Sequence, residues 1–283
     1  MKQLYEYLIG GSKKGRASGY KFHPQTKEEL SDLLEELIKE RGMEGDYNDI
    51  DTSQIEDMTN LFATMDLSGF NGDISKWNTS KVKSMHGIFS GCEKFNCDIS
   101  DWDVSGVEDF DTMFWGCNKF NQPIGRWDTS RAKKMHGMFW NCTKFDQDLS
   151  HWDVSIVEDM SNMFYNAINF GKTGGNITNW DVSKVTNMTE MFKMAYKFNQ
   201  DLNWDLKSCK STSMMFQSAK GFNGDISKWK NTLHIKTMER MFYDAKSFYQ
   251  DLSGWKIQDK APKSEMFGKT PMEFEKNMQP QRV

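Results

Sequence analysis

The chain has 283 residues, with 36 Lys and Arg against 40 Asp and Glu and a net charge of −4. That balance leaves no basic excess to neutralise a phosphate backbone, so nucleic acid is not an expected partner. No apolar run approaches the roughly 18 residues that a bilayer crossing needs, and no apolar stretch of about 7 or more marks a secretory signal. Neither membrane insertion nor a secreted location is therefore expected.

Taken from the start, Met1 to Lys14 reads M-K-Q-L-Y-E-Y-L-I-G-G-S-K-K. Leu4, Tyr5, Leu8 and Ile9 form one amphipathic face, Gly10 and Gly11 end it, and Lys13 to Arg16 make a basic linker. Residues 1–19 therefore read as a separate peptide on a linker, or as a helix that extends the cap behind it. Residues 20–49 read as a helical cap. Thr26 with Glu29 predicts a capping box, Leu30, Leu33, Leu34, Leu37 and Ile38 an apolar stripe, and Gly42 the stop. Ile55, Met58, Leu61 and Phe62 have the spacing of a first, degenerate helix.

From residue 50 to residue 267 the chain repeats itself. Trp77, Trp102, Trp127 and Trp152 stand 25 residues apart, and Trp180, Trp204, Trp229 and Trp255 continue at 28, 24, 25 and 26. Phe89, Phe114, Phe139, Phe164, Phe192, Phe216, Phe242 and Phe267 keep the same phase, as does a series from Phe70 to Phe248. Leu occurs at only 13 positions against 20 Met and 20 Phe, so the core is built from Phe, Met and Trp. The unit is F-N-x-D-[IL]-S-x-W-D-V-S-x-V-x-x-M-x-x-M-F-x-x-[AC]-x-x. One such unit cannot bury its apolar face alone, which predicts stacking into an α/β solenoid of leucine-rich-repeat type with about eight full coils.

Within each coil, Ile99, Trp102 and Val104 predict a short strand. Ser105 with Glu108, and Ser155 with Glu158, predict capping boxes. Val107, Phe110, Met113, Phe114 and Cys117 then fall on one face of a helix of two to three turns. The three extra residues between Trp152 and Trp180 predict a bulged loop at Gly171 to Asn176. Residues 268–283 read as a polar, loose tail.

Chemistry-bearing motifs are sparse. The chain has no G-x-S-x-G, H-E-x-x-H, C-x-x-C or P-loop, and an enzyme is not expected. Cys92, Cys117 and Cys142 share a slot with Ala167, Ala195, Ala219 and Ala245, which predicts small buried core residues rather than disulfides or metal ligands. His86 and His136 are equivalent residues two coils apart, about 10 Å by coil spacing. That is too far for one zinc with bonds near 2 Å; with Asp111 between them the His-Asp-His column admits weak metal binding but reads better as a solvated ladder. The aspartate columns, such as Asp98 and Asp103, admit calcium between coils but fit better as acceptors for turn amides. Asn71, Asn96, Asn121, Asn199 and Asn223 suggest an asparagine ladder, and Lys83, Glu108, Lys133 and Glu158 an alternation of charge that fixes register. No cofactor or metal is expected.

Trp115, Trp140 and Tyr165 lie outside the main Trp series, each directly after a ladder Phe on successive coils. They predict an aromatic stripe, which serves either as a partner surface or as packing between neighbouring coils.

The repeat motif resembles that of BspA-like leucine-rich-repeat surface proteins, and I-D-T-S-x-I-x-D-M-T-x-L-F at Ile50 to Phe62 resembles the lead-in to such repeats. The resemblance covers about 240 residues. It implies the leucine-rich-repeat fold and adhesion or protein binding, often at a cell surface. The N-terminal peptide is similar to a short leader, M-K-x-[FYL]-x-E-[FY]-I, that directs internal head proteins of some tailed phages into the capsid, with Leu4, Tyr5, Leu8 and Ile9 as the sorting face. The expected function is a non-enzymatic protein-binding or structural module, cytoplasmic or virion-associated. The alternatives are a phage cargo protein directed by the leader and a surface adhesin exported by another route.

Overall fold

A strip of chain in which every 25th residue is the same aromatic buries those rings best by laying each repeat on the last. In the computed structural model, which describes residues 19–63 and 67–282, that is the arrangement. Trp77 and Trp102 stack with ring centroids 6.3 Å apart and planes 2° from parallel, and Trp127 and Trp152 do the same at 6.3 Å and 6°. Phe89, Phe114, Phe139 and Phe164 stack at 5.8, 5.7 and 5.5 Å. Within one repeat, Phe89 also lies 3.8 Å from Phe95 and Phe114 lies 3.9 Å from Phe120. These rings are buried throughout, so the core is one continuous aromatic column.

The backbone of the repeat differs from expectation. Among the described residues the only α-helix is α1 (Lys27–Arg41), and the helix predicted over Val107 to Cys117 is absent. Every second N–H in that segment leaves its own repeat. Phe110, Thr112, Phe114 and Gly116 donate to the carbonyls of Lys134, His136, Met138 and Trp140 at 3.0, 2.7, 3.0 and 2.7 Å. The intervening amides close local turns: Met113 donates to Phe110, Trp115 to Thr112 and Cys117 to Phe114. Thr112 at φ 52° and Gly116 at φ 76° occupy the left-handed region that a turn needs at its third position. A residue in that region every fourth position ends any α-helix.

The same two columns are left-handed in other repeats. The first holds Asn60, Gly87, Gly137 and Asn162, then Glu190, Met214, Arg240 and Glu265; the second holds Gly91, Asn141 and Asn166, then Met194, Ser218, Asp244 and Lys269. Gly and Asn are the residues that tolerate this region best. A stack of turns also puts Val107, Phe110, Met113, Phe114 and Cys117 inside, which is why a helical spacing appears in a segment that is not helical.

The strand assignment is displaced for the same reason. Ile99, Trp102 and Val104 lie in turns, with Trp102 N–H donating to Ile99 and Val107 N–H to Val104. Parallel bridging runs instead through the segment expected to be helical: Asp57 to Ser84, Ser84 to Asp109, Asp109 to Lys134 and Lys134 to Asp159. Ser105 and Ser155 are not helix N-caps, since each donates its N–H to the preceding Asp103 or Asp153 carboxylate, at 3.0 and 2.9 Å. Asp98, Asp128, Asp148, Asp181, Asp225 and Asp251 accept from the residue two places on in the same way.

One end is closed by a helix and the other in part by the C-terminal tail. Helix α1 takes its N-cap from Thr26, whose hydroxyl accepts from Glu29 N–H at 3.2 Å, and Gly42 at φ 76° returns its N–H to Ile38. Leu30, Leu33, Leu34, Leu37 and Ile38 are buried as expected. At the other end the tail is not loose. Met272 is fully buried, and β2 (Gln281–Arg282) pairs in parallel with β1 (Lys256–Ile257). Without that pairing the last repeat presents an unpaired edge, which apolar and backbone groups both disfavour.

The side-chain ladders hold register. Asn71 accepts from Asn96 N–H, Asn96 from Asn121 N–H and Asn121 from Asp146 N–H, at 2.7, 2.9 and 2.9 Å. Lys133 pairs with Glu108 at 2.6 Å and Lys134 with Asp109 at 2.9 Å. At the expected bulge the ladder ends in a carboxylate. Asp146 accepts the N–H groups of Gly171, Lys172, Thr173, Gly174 and Gly175 and the Thr173 hydroxyl, all within 3.2 Å. Burial pushes the Asp146 pKa up, and the N–H and hydroxyl donors of Gly175, Thr173 and Gly174 more than offset this, leaving it below the ordinary aspartate value.

Two predictions follow from these contacts. The indole N–H of Trp102 donates to Ile74 O at 3.2 Å, whereas those of Trp204 and Trp229 are buried with no hydrogen-bond partner among the described residues. Trp204 comes 24 residues after Trp180, and its repeat is one residue short between Leu202 and Trp204. Trp102→Phe removes one of the two hydrogen bonds that Ile74 O accepts, the other coming from Trp77 N–H, a loss of about 0.5–1.5 kcal/mol, whereas Trp204→Phe removes an indole N–H that makes no hydrogen bond among the described residues. Chemical denaturation should therefore show Trp102→Phe to be the more damaging change, and equal effects would contradict the assignment. For Asp146, the depressed folded pKa means stability that is present above the unfolded value of about 3.9 and lost as pH falls through the folded one. Asp146→Asn should lower the unfolding midpoint at neutral pH, with the gap to the parent chain closing below about pH 4. A gap that does not change with pH would contradict it.

Candidate functional site

The turn stack decides which side chains can face outward. Gly116 is left-handed and directly follows Trp115, and Trp115 N–H closes the turn to Thr112, so the indole is turned away from the core that holds Phe114. Trp115 is 43 % exposed, while Trp140 and Tyr165 are half-buried. Trp115 and Trp140 lie 5.9 Å apart at 53°, and Trp140 and Tyr165 5.0 Å apart at 40°. These tilted contacts contrast with the near-parallel core columns. No helices pack here, so the three rings form a continuous stripe along the outside of the turns.

Two features beside the stripe were not read from the sequence. Lys193 occupies the same slot on the next repeat and holds its Nζ 5.1 Å from the centre of the Tyr165 ring, while pairing with Glu190 at 2.9 Å. An open hollow of about 220 Å³ adjoins Trp115, lined by Gly91, Glu93, Gly116, Asn118 and Asn141. The slot alignment was enough to find Lys193. The hollow needs the left-handed turns at Gly91 and Gly116, and the recurrence of Gly and Asn in that column is the signal that could have found it.

The other candidates separate cleanly. Cys92, Cys117, Cys142 and Cys209 are buried free thiols, and Cys97 is half-buried and free. Burial pushes the Cys92 and Cys209 thiols up to about 12 and those of Cys117 and Cys142 well above the ordinary value. His136 does not meet His86; its Nδ1 pairs with Ser161 Oγ at 2.7 Å and its backbone N–H donates to Asp111 at 2.7 Å. His86 meets Asp109, with Nδ1 3.8 Å from Oδ1. Burial, and then the neighbouring Asp109 carboxylate, raise the Asp111 pKa. Leu4, Tyr5, Leu8 and Ile9 lie outside the described residues. Among those described, no helix is long and apolar enough to cross a membrane.

Comparison with protein families gives three overlapping matches, to residues 32–143, 97–176 and 172–280, all to one model described as "Mycoplasma protein of unknown function, DUF285". The chain belongs to this family. Each DUF285 match takes in several of the 25-residue repeats, and together they run from within α1 to the C-terminal tail. Neither the curated proteins nor the solved structures contain a match to the chain.

Proposed function

We propose that this DUF285 chain is a non-enzymatic solenoid of leucine-rich-repeat type that binds a protein partner through the stripe of Trp115, Trp140 and Tyr165. The observation that carries the reading is the exposure of Trp115 beside an otherwise buried aromatic core. A large ring held rigidly at the surface supplies contact area at small entropic cost, and Trp and Tyr dominate the energetics of protein interfaces. Lys193 and Glu190 at one end, and Glu93, Asn118 and Asn141 at the other, give the polar rim that such a patch carries. The many aspartates favour a structural reading because they already accept turn amides.

The test replaces the stripe without disturbing the core. Trp115→Ala combined with Trp140→Ala should weaken binding of the partner, identified by photo-crosslinking from position 115, by about 30-fold or more, corresponding to a hot-spot loss of at least 2 kcal/mol. The unfolding transition should remain cooperative. Unchanged affinity in the double variant, or equally efficient crosslinking from position 151 away from the stripe, would contradict the proposal.

A further inference from the structure

Two outward columns of the turn stack carry neutral hydroxyls in several repeats, and the hydroxyls satisfy one another between repeats. Thr59 bonds Ser84 at 2.8 Å, Thr189 bonds Ser211 at 2.7 Å and Ser213 bonds Thr237 at 2.8 Å. In the same two columns the chain places His86 opposite Asp109, with Asp111 two residues further on. One ligand atom from each of His86, Asp109 and Asp111 falls within 4.8 Å of the others.

Their hydrogen bonding leaves donor atoms unclaimed. Asp109 Oδ1 accepts Asp111 N–H at 3.0 Å, and Oδ2 pairs with Lys134 Nζ at 2.9 Å. Asp111 uses one oxygen, Oδ1, for His136 N–H. Neither ring nitrogen of His86 makes a hydrogen bond among the described residues, and its nearest charged contact is Asp109 at 3.8 Å. Two carboxylates this close repel each other, and Lys134 supplies one positive charge against two negative ones.

We propose that His86, Asp109 and Asp111 bind a divalent transition-metal cation, with zinc as the best-fitting class. One imidazole and two carboxylates form a mixed nitrogen and oxygen donor set, and the imidazole favours zinc over calcium or magnesium. Bonds of about 2.0–2.2 Å bring ligand atoms to roughly 3.5 Å apart in a tetrahedral site. Rotation of side chains that are themselves only part-buried closes the difference from 4.8 Å. The His86 side chain is 40 % exposed, so the ion enters from solvent and its remaining position faces water. Asp109 and Asp111 lie on the repeat that carries Trp115 and His86 on the one before it, but the inference stands independently of the protein-binding reading.

The test titrates the full chain, first stripped with a chelator, with zinc and with cobalt. Cobalt supplies a visible ligand-field band that reports a bound nitrogen and oxygen site. One equivalent of zinc should bind and displace cobalt. His86→Ala and Asp111→Asn should each weaken binding by more than the roughly 10–100-fold that loss of an outer-shell group causes, with the unfolding midpoint of the metal-free chain unchanged. Cys97→Ser should bind as the parent does, which separates this site from the half-buried thiol. Absence of zinc binding, equal binding in the His86→Ala chain, or calcium binding more tightly than zinc would overturn the proposal.

Discussion

Everything in this molecule depends on one hydrogen-bonding constraint: alternate backbone N–H groups of each repeat must find carbonyls on the next. The donors at Phe110, Thr112, Phe114 and Gly116 have no helical partner, because left-handed residues at Thr112 and Gly116 break the local spiral. Buried amides left unpaired cost about 1–3 kcal/mol each. A single repeat therefore cannot be stable by itself, and neither can a stack without closed ends. Helix α1 closes one end, while the tail around Met272 and β2 closes part of the other.

That constraint also fixes the surface. Once the repeat length is set by the backbone, a side chain at a given slot always lies over the same slot of its neighbour. Slots facing inward became columns of Phe, Trp and Met. Outward slots became ladders whose chemistry changes from repeat to repeat: amides at Asn71, Asn96 and Asn121, opposite charges at Glu108 and Lys133, aromatics at Trp115, Trp140 and Tyr165. Function in such an architecture comes from what is written in a few outward columns, while the inward ones serve stability.

The phase of the repeat, the buried columns, α1 with its caps, the bulge and the stripe were all legible in the sequence. The conformation within each repeat was not. Val107, Phe110, Met113, Phe114 and Cys117 have the spacing of one helical face, yet consecutive turns bury the same set. The signal that separates the two is the recurrence of Gly or Asn at the columns of Gly87 and Gly91, which is incompatible with a helix interior. The aspartate in D-x-S was equally ambiguous: Asp103 and Ser105 form a turn motif, and only the backbone path distinguishes that from a helix start. The clustering of His86 with Asp109 rather than His136 depended on the same path. The tail was misread because its polar composition hides its anchoring residues, Thr270, Met272 and Pro280, with Met278 packed beside them.

The repeat-to-repeat ladder is tested most directly by excision. Removing residues 96–120, one whole 25-residue unit, joins Phe95 to Asn121 in the register that the parent chain uses at Phe95 and Asn96. Backbone donors then meet equivalent acceptors on the following repeat, and Asn71 Oδ1 meets Asn121 N–H in place of Asn96 N–H. Removing residues 96–108 takes away about half a unit and puts Thr112, Trp115, Arg126 and Ser130, none of them core residues, into the inward slots of Ile99, Trp102, Met113 and Cys117. Denaturation followed by tryptophan fluorescence should show a cooperative transition for the whole-unit excision and none for the half-unit excision. Loss of the transition in the first chain, or its survival in the second, would contradict the account.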